Sequence, residues 1–127
     1  AGAGIDVNNS GVGAVTVTAE TASATNPGVV ELATTAEALA GTDTTRAVTS
    51  AGLAARSYRA AIGNGSATAF NVDHGLGTRD VTVQMYDASS YETVYAQIVR
   101  STTARVVVTF NAAPANNDII ILINKID

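Results

Sequence analysis

From Ser66 to the C-terminus the chain alternates apolar and polar residues with a period of two. Phe70 and Val72 alternate with Asn71 and Asp73. Val81, Val83 and Met85 alternate with Thr82, Gln84 and Tyr86, and Val94, Ala96 and Ile98 with Thr93, Tyr95 and Gln97. Val106, Val108 and Phe110 alternate with Val107 and Thr109, and Asp118–Ile126 is almost continuously apolar. Side chains on a strand point alternately to opposite faces, so the pattern predicts five strands. Their joints, His74–Thr78, Asp87–Ser90, Ser101–Ala104 and Asn111–Asn117, are short and rich in turn residues. An antiparallel sheet or small sandwich with a dry face follows. Val107, Ile120 and Leu122 fall on the nominally wet face, so something is expected to cover that face: a helix, a second sheet or a neighbouring subunit.

Before Ser66 the pattern is weaker. Ala1–Gly13 is rich in Gly and Asn and reads as loop or extended linker. Val15, Val17 and Ala19 alternate with Thr16 and Thr18, a short β signal. Asn26-Pro27-Gly28 reads as a turn, and Val29–Leu32 as a short extended piece. Thr34 or Thr35 can cap a helix through Ala40, with Glu37 in its first turns and Gly41 as its stop. Thr49 or Ser50 can cap a longer helix, about Ser50–Ile62, ended by Gly63-Asn64-Gly65. On that helix Val48, Ala51, Ala55, Tyr58 and Ile62 follow a 3, 4, 3, 4 spacing. Such a seam of small residues suits either packing within the domain or self-association.

Composition sharpens the contrast. Of 127 residues, the first 57 contain 35 Gly, Ala, Ser or Thr, 11 large aliphatics and no aromatic. The remainder holds all six aromatics and 20 Val, Ile, Leu, Met or Phe. A domain of about 60 residues is marginal even with ordinary apolar content. The front part is therefore disordered, covered by the back part, or covered by copies of itself. The net charge is −4, split as −3 over residues 1–57 and −1 over 58–127. No basic patch exists, so neither nucleic acid nor an anionic membrane surface is an expected partner. Ile119–Ile123, the longest apolar run, is too short to insert into a bilayer. Ala1–Val17 lacks the charged start and apolar core of a signal peptide. The start at Ala1 rather than Met suits a fragment of a longer protein. Without Cys there is no disulfide, thiolate cluster or Cys nucleophile. A single His excludes a multi-His zinc site within one chain.

The candidate chemistry is sparse. His74 would need a nucleophile or an orienting carboxylate to act as a base, and adjacent Asp73 points to the other face of its strand. It reads as a turn residue whose ring bonds backbone; three copies meeting on a symmetry axis could alternatively hold a metal. Gly75-Leu76-Gly77 lacks the residues of a phosphate loop. Asp87 and Glu92 lie across one hairpin loop, where solvated charges are the ordinary reading and a glycosidase pair would require a cleft. Asn8-Asn9-Ser10 and Asn64-Gly65-Ser66 match the glycosylation sequon, a three-residue pattern that arises often by chance. Tyr86, Tyr91 and Tyr95 cluster on one hairpin. Half-exposed tyrosines suit flat contact with a sugar or protein, and equally a subunit interface.

Two stretches resemble a known family. Gly28–Thr34 (Gly-Val-Val-Glu-Leu-Ala-Thr), Ala40–Asp43, Arg46–Thr49 and Gly52-Leu53 follow one another as in a segment of tailed-bacteriophage tail-fibre proteins. Ser50 stands where that segment often has Pro, and either residue can open a helix. The turn His74–Thr78 followed by the strand Val81–Asp87 is similar to a β-rich terminal domain of phage fibre and other virion proteins.

That resemblance implies a homotrimeric virion fibre, carried on the phage tail or capsid, with a slender shaft and a tip that meets the host. The expected fold is mainly β: an extended, short-helical trimerisation segment (1–62) and a small antiparallel β-sandwich-like tip domain (63–127). The expected work is non-enzymatic adhesion, multivalent through three tips, to a host cell-surface polysaccharide or protein. Tyr86, Asp87, Ser89, Ser90, Tyr91 and Glu92 are the expected receptor contacts. Val48, Ala51, Leu53, Ala55, Tyr58 and Ile62 are the expected association residues. No catalytic residue, metal or cofactor is expected. The alternative is a capsid-attached head fibre or decoration protein with no dedicated receptor. An enzyme acting on surface polysaccharide finds no support in clustered carboxylates or a nucleophile–base pair.

Overall fold

A computed structural model of the chain describes residues 5–9, 15–25 and 28–127. Strands β1 (Ile5–Asn9) and β2 (Val15–Ala19) pair antiparallel, with Ile5 opposite Ala19 and Asn9 opposite Val15. β2 coincides with the alternating Val15–Ala19 stretch. β1 lies where composition predicted loop, because a strand partner supplies ladder bonds that local sequence does not announce. Asn26 and Pro27 of the expected turn lie outside the described residues.

Helix α1 (Thr35–Ala40) is capped as its sequence predicts. Thr34 Oγ1 accepts from the Glu37 N–H at 3.3 Å, and Glu37 Oε2 accepts from the Thr34 N–H at 2.9 Å. Gly41 ends the helix at φ 69°, the left-handed conformation that glycine adopts without strain. Helix α2 (Ser50–Ala54) starts at Thr49, whose hydroxyl accepts from the Gly52 N–H at 3.0 Å.

α2 corrects the expected helix through Ile62. It stops at Ala54, and Ser57–Ile62 is strand β3. Tyr58, Ala60 and Ile62 satisfy a period of two as well as the helical spacing. Pairing decides between the periods, since every residue from Ser57 to Ile62 gains a partner on the last strand of the chain. The division expected at 62/63 therefore separates β3 from its own sheet, and β3 is continuous with the sandwich rather than with the helices before it.

The other strands are β4 (Ala69–Asp73), β5 (Val81–Asp87), β6 (Gln97–Val99), β7 (Arg105–Thr109) and β8 (Ile119–Lys125). Together with β3 they form two three-stranded antiparallel sheets, β3-β8-β5 and β4-β7-β6. The expected Thr93–Ile98 strand divides. Thr93 makes a bridge to Tyr86 beside β5, and the chain then crosses to the second sheet as β6.

The core lies between the sheets. Ile62, Val81, Met85, Ile119, Ile121 and Ile123 come from one sheet, Val72, Val106 and Val108 from the other, and Leu76 from a loop. β8 is the central strand of its sheet, which explains its nearly unbroken apolar run. On its outer face Ile120 is buried, with Tyr86 and Ala61 as its register neighbours. Neighbouring side chains thus provide the cover that the sequence required there. Leu122 and Val107 are half-buried between strand neighbours.

The register gives the sandwich two poles. Ser57 and Val81 sit at the Lys125 end of their sheet, and Ile62 and Asp87 at the Ile119 end. The six steps between span roughly 20 Å. The chain enters at the first pole through Arg56, whose C=O accepts from the Lys125 N–H at 2.9 Å. α1 rests there too: Leu39 packs against the core, and Lys125 Nζ donates to its C=O at 2.9 Å.

Candidate functional site

The loop after β5 sits at the far pole, and Asp87 organises it. One carboxylate oxygen, Oδ1, accepts from the Ser89 N–H at 2.9 Å, the Ser89 hydroxyl at 2.7 Å and the Ser90 N–H at 2.7 Å. These donors hold the Asp87 carboxyl down at about 2, the Ser89 hydroxyl contributing most. Backbone bonds close the loop: Tyr91 N–H to Asp87 C=O at 2.9 Å, and Asp87 N–H to Glu92 C=O at 2.9 Å. The Ala88 N–H donates to Asp118 C=O at 2.7 Å and anchors the loop to the start of β8.

Tyr91 occupies the left-handed region at φ 62°, uncommon for a residue with a side chain. There its ring lies nearly parallel to that of Tyr86, 6.1 Å between centroids and 19° between planes. Tyr91 is 77 % exposed and Tyr95 89 %. Tyr86 is half-buried over Ile120. The loop is thus an ordered knuckle bearing a stacked aromatic pair, not a helix-covered patch.

All six expected receptor-contact residues lie in or beside this knuckle. Ser89, Ser90, Tyr91 and Glu92 are exposed, whereas Tyr86 and Asp87 are partly buried. The Asp87 carboxylate is engaged by its own loop, so Tyr91 and Glu92 are the side chains turned outward. Tyr95, grouped with Tyr86 and Tyr91 in the sequence but not among the six expected contacts, is more exposed than either, as its place opposite Val94 and Ile98 in the alternation implies.

The expected association residues divide. Val48, Ala51 and Leu53 are exposed on the helical segment and Ala55 is half-buried after α2. Tyr58 packs against the core and Ile62 is part of it. These two do not continue a helical seam, because β3 turns them into the sandwich.

That helical segment is held by polar contacts. Arg46 Nη1 lies 3.0 Å from Glu37 Oε1 and 2.6 Å from Asp43 Oδ2, and Arg46 Nε lies 3.1 Å from Glu31 Oε2. Asp43 Oδ1 also accepts from the Thr45 N–H at 2.7 Å and hydroxyl at 2.8 Å. The Thr45 donors and Arg46 hold the Asp43 carboxyl well below the usual range. Arg46 thus ties together Glu31, Glu37 and Asp43, residues that are separate along the chain.

His74 is a buried turn residue. It is 6 % exposed, and its Nδ1 accepts from the Leu76 N–H at 3.2 Å. Its Nε2 is buried without a partner. Burial pushes the imidazole below its ordinary value, against the pull of Asp73. Asp73 itself pairs with Arg105, at 2.5 and 2.9 Å. Inside the fold, His74 is not presented for a shared metal.

Comparisons with family models, curated proteins and solved structures give no match to this chain.

Proposed function

We propose that the chain is part of a bacteriophage virion fibre, a homotrimeric appendage whose β-rich end adheres to the bacterial host surface through the Tyr86–Glu92 knuckle. One arrangement supports this reading above the others. The helical segment enters at one pole of the sandwich, and the aromatic knuckle occupies the opposite pole. A fibre end requires that polarity, with attachment behind and contact in front.

The helical segment supports the trimer. Val29, Val30, Leu32, Val48 and Leu53 are all exposed in the single chain, with Leu32 at 62 % and Leu53 at 63 %. Packing these against two further copies removes apolar surface from water at about 25 cal/mol per Å². Three weak tips on one fibre then raise avidity without strong single contacts.

Light scattering on the purified chain is expected to give a mass near three times 12.8 kDa, and a monomer overturns the trimeric reading. Adsorption to a panel of bacterial strains is expected to fall in Tyr91→Ala, and undiminished adsorption overturns the contact assignment. The same exposed aliphatics could dock on a capsid, the head-fibre reading. A trimer that adsorbs to no strain favours that alternative.

A further inference from the structure

A second surface lies on the flank of the sandwich, apart from the knuckle. β5 and β6 are each the last strand of their sheet, and the chain crosses between them over residues 93–96. Two grooves adjoin at this crossover. One, of about 340 Å³, is lined by Thr82, Gln84, Tyr95, Leu122 and Asn124 among others. The other, of about 320 Å³, is lined by Tyr95, Gln97, Thr109 and Asn111 with Ala96. Tyr95 is common to both, and among the described residues it is the most exposed of the large apolar and aromatic side chains.

The lining has a consistent chemistry. Neither groove contains a charged side chain. Gln84, Asn124, Gln97 and Asn111 are exposed amides, each able to donate and accept. Thr82 and Asn124 are register partners on one outer face, and Gln97 and Thr109 on the other.

The edge of β5 adds backbone groups. Met85 C=O accepts from the Val94 N–H at 3.0 Å, and Val81 C=O accepts from the Arg100 guanidinium at 2.8 and 3.1 Å. Antiparallel alternation turns the N–H and C=O of Val83, midway between, to the same edge. Among the described residues no further strand lies there. Val94 and Arg100 close the edge at both ends, so a strand running along β5 has no room to continue. The opening suits a compact ligand with an apolar face and a rim of hydroxyls.

We propose that these grooves form a binding site for a neutral saccharide, one sugar ring in each, with the Tyr95 ring as their shared platform. A pyranose presents C–H groups to an aromatic face and hydroxyls to amides, hydroxyls and backbone. Each volume lies at the small end of the roughly 300–1,000 Å³ range of ligand pockets. The argument is independent of the fibre reading and of the Tyr86–Glu92 knuckle.

The test is an amide-detected NMR titration of the full chain with cellobiose, lactose and di-N-acetylchitobiose. At least one is expected to produce saturable shifts at Thr82, Gln84, Thr93, Tyr95, Gln97 and Asn124. Tyr95→Ala is expected to weaken that binding about tenfold or more. Its circular dichroism should match the parent, because an exposed ring contributes little to folding. Tyr91→Ala is expected to leave the titration unchanged, which separates this site from the knuckle. Absence of saturable shifts with all three sugars overturns the proposal, as does binding undiminished in Tyr95→Ala. Shifts produced only by an extended tripeptide, acetyl-Val-Thr-Val-amide, overturn it in favour of strand addition at β5.

Discussion

The helical segment, residues 28–56, and the sandwich, residues 57–127, are ordered by different forces. The sandwich excludes water from Met85, Val106, Val108, Ile121 and Ile123. The helical segment relies on a capping box, a left-handed glycine and one arginine among three carboxylates. Val29, Val30, Leu32, Val48 and Leu53 stay in solvent, and only Leu39 of its large aliphatics packs on the core. Caps and ion pairs specify a local path, but they contribute only about 1 kcal/mol each. A six-residue helix is unstable by itself. The contrast shows that local order and independent stability are separate properties.

The largest test of this contrast is Ile121→Ala. Removing a fully buried side chain between the sheets is expected to cost about 2–5 kcal/mol. Denaturant unfolding should show that loss, and a change below about 1 kcal/mol would break the account of the core. Arg46→Ala comes next, with a smaller loss, because it leaves Glu31, Glu37 and Asp43 without their shared cation in a solvent-screened setting. Amide exchange should rise over residues 31–47 while β8 stays protected. Equal loss in both regions would show that they unfold as one unit.

A smaller effect concerns pH. Folding lowers the His74 pKa from 6.5, so the unfolded chain binds the proton more readily. The stability His74 confers is complete above 6.5 and is lost as pH falls through the folded value. Protonation would also set an Nδ1–H against the Leu76 N–H. His74→Gln is expected to flatten this part of the stability profile, and an unchanged slope would remove His74 as its source. The smallest effect on folding is expected from Tyr91→Ala, within about 0.5 kcal/mol. A larger loss would mean that the stacked pair supports the sandwich rather than projecting from it.

Much of this was legible along the chain. Alternation located β4, β5, β7 and β8, because a strand with one buried face must repeat every two residues. Thr34, Glu37 and Gly41 announced α1, because caps act within a single turn. Tyr91 and Tyr95 were legible as outward-facing from their places opposite Val94 and Ile98. The ion-pair cluster was not, since Glu31 and Arg46 stand fifteen positions apart in sequence and meet only when the chain folds back. Nor were the grooves that share Tyr95, whose walls come from β5, β6, β7, β8 and the crossover.

The sequence by itself determined the short-range features: which faces are apolar, where helices start, where turns fall, and that the front of the chain lacks a core. Tertiary structure alone decided the identity of Ser57–Ile62, whose residues fit a helix and a strand equally well. The vacant edge of β8 offered six register partners and a buried place for Ile62. It also decided that Asp87 shapes its own loop, and that the helical segment and the knuckle stand at opposite poles. Periodicity records which side of an element meets water. It carries no record of which distant element supplies the partner, and partners decide between two local conformations of similar energy.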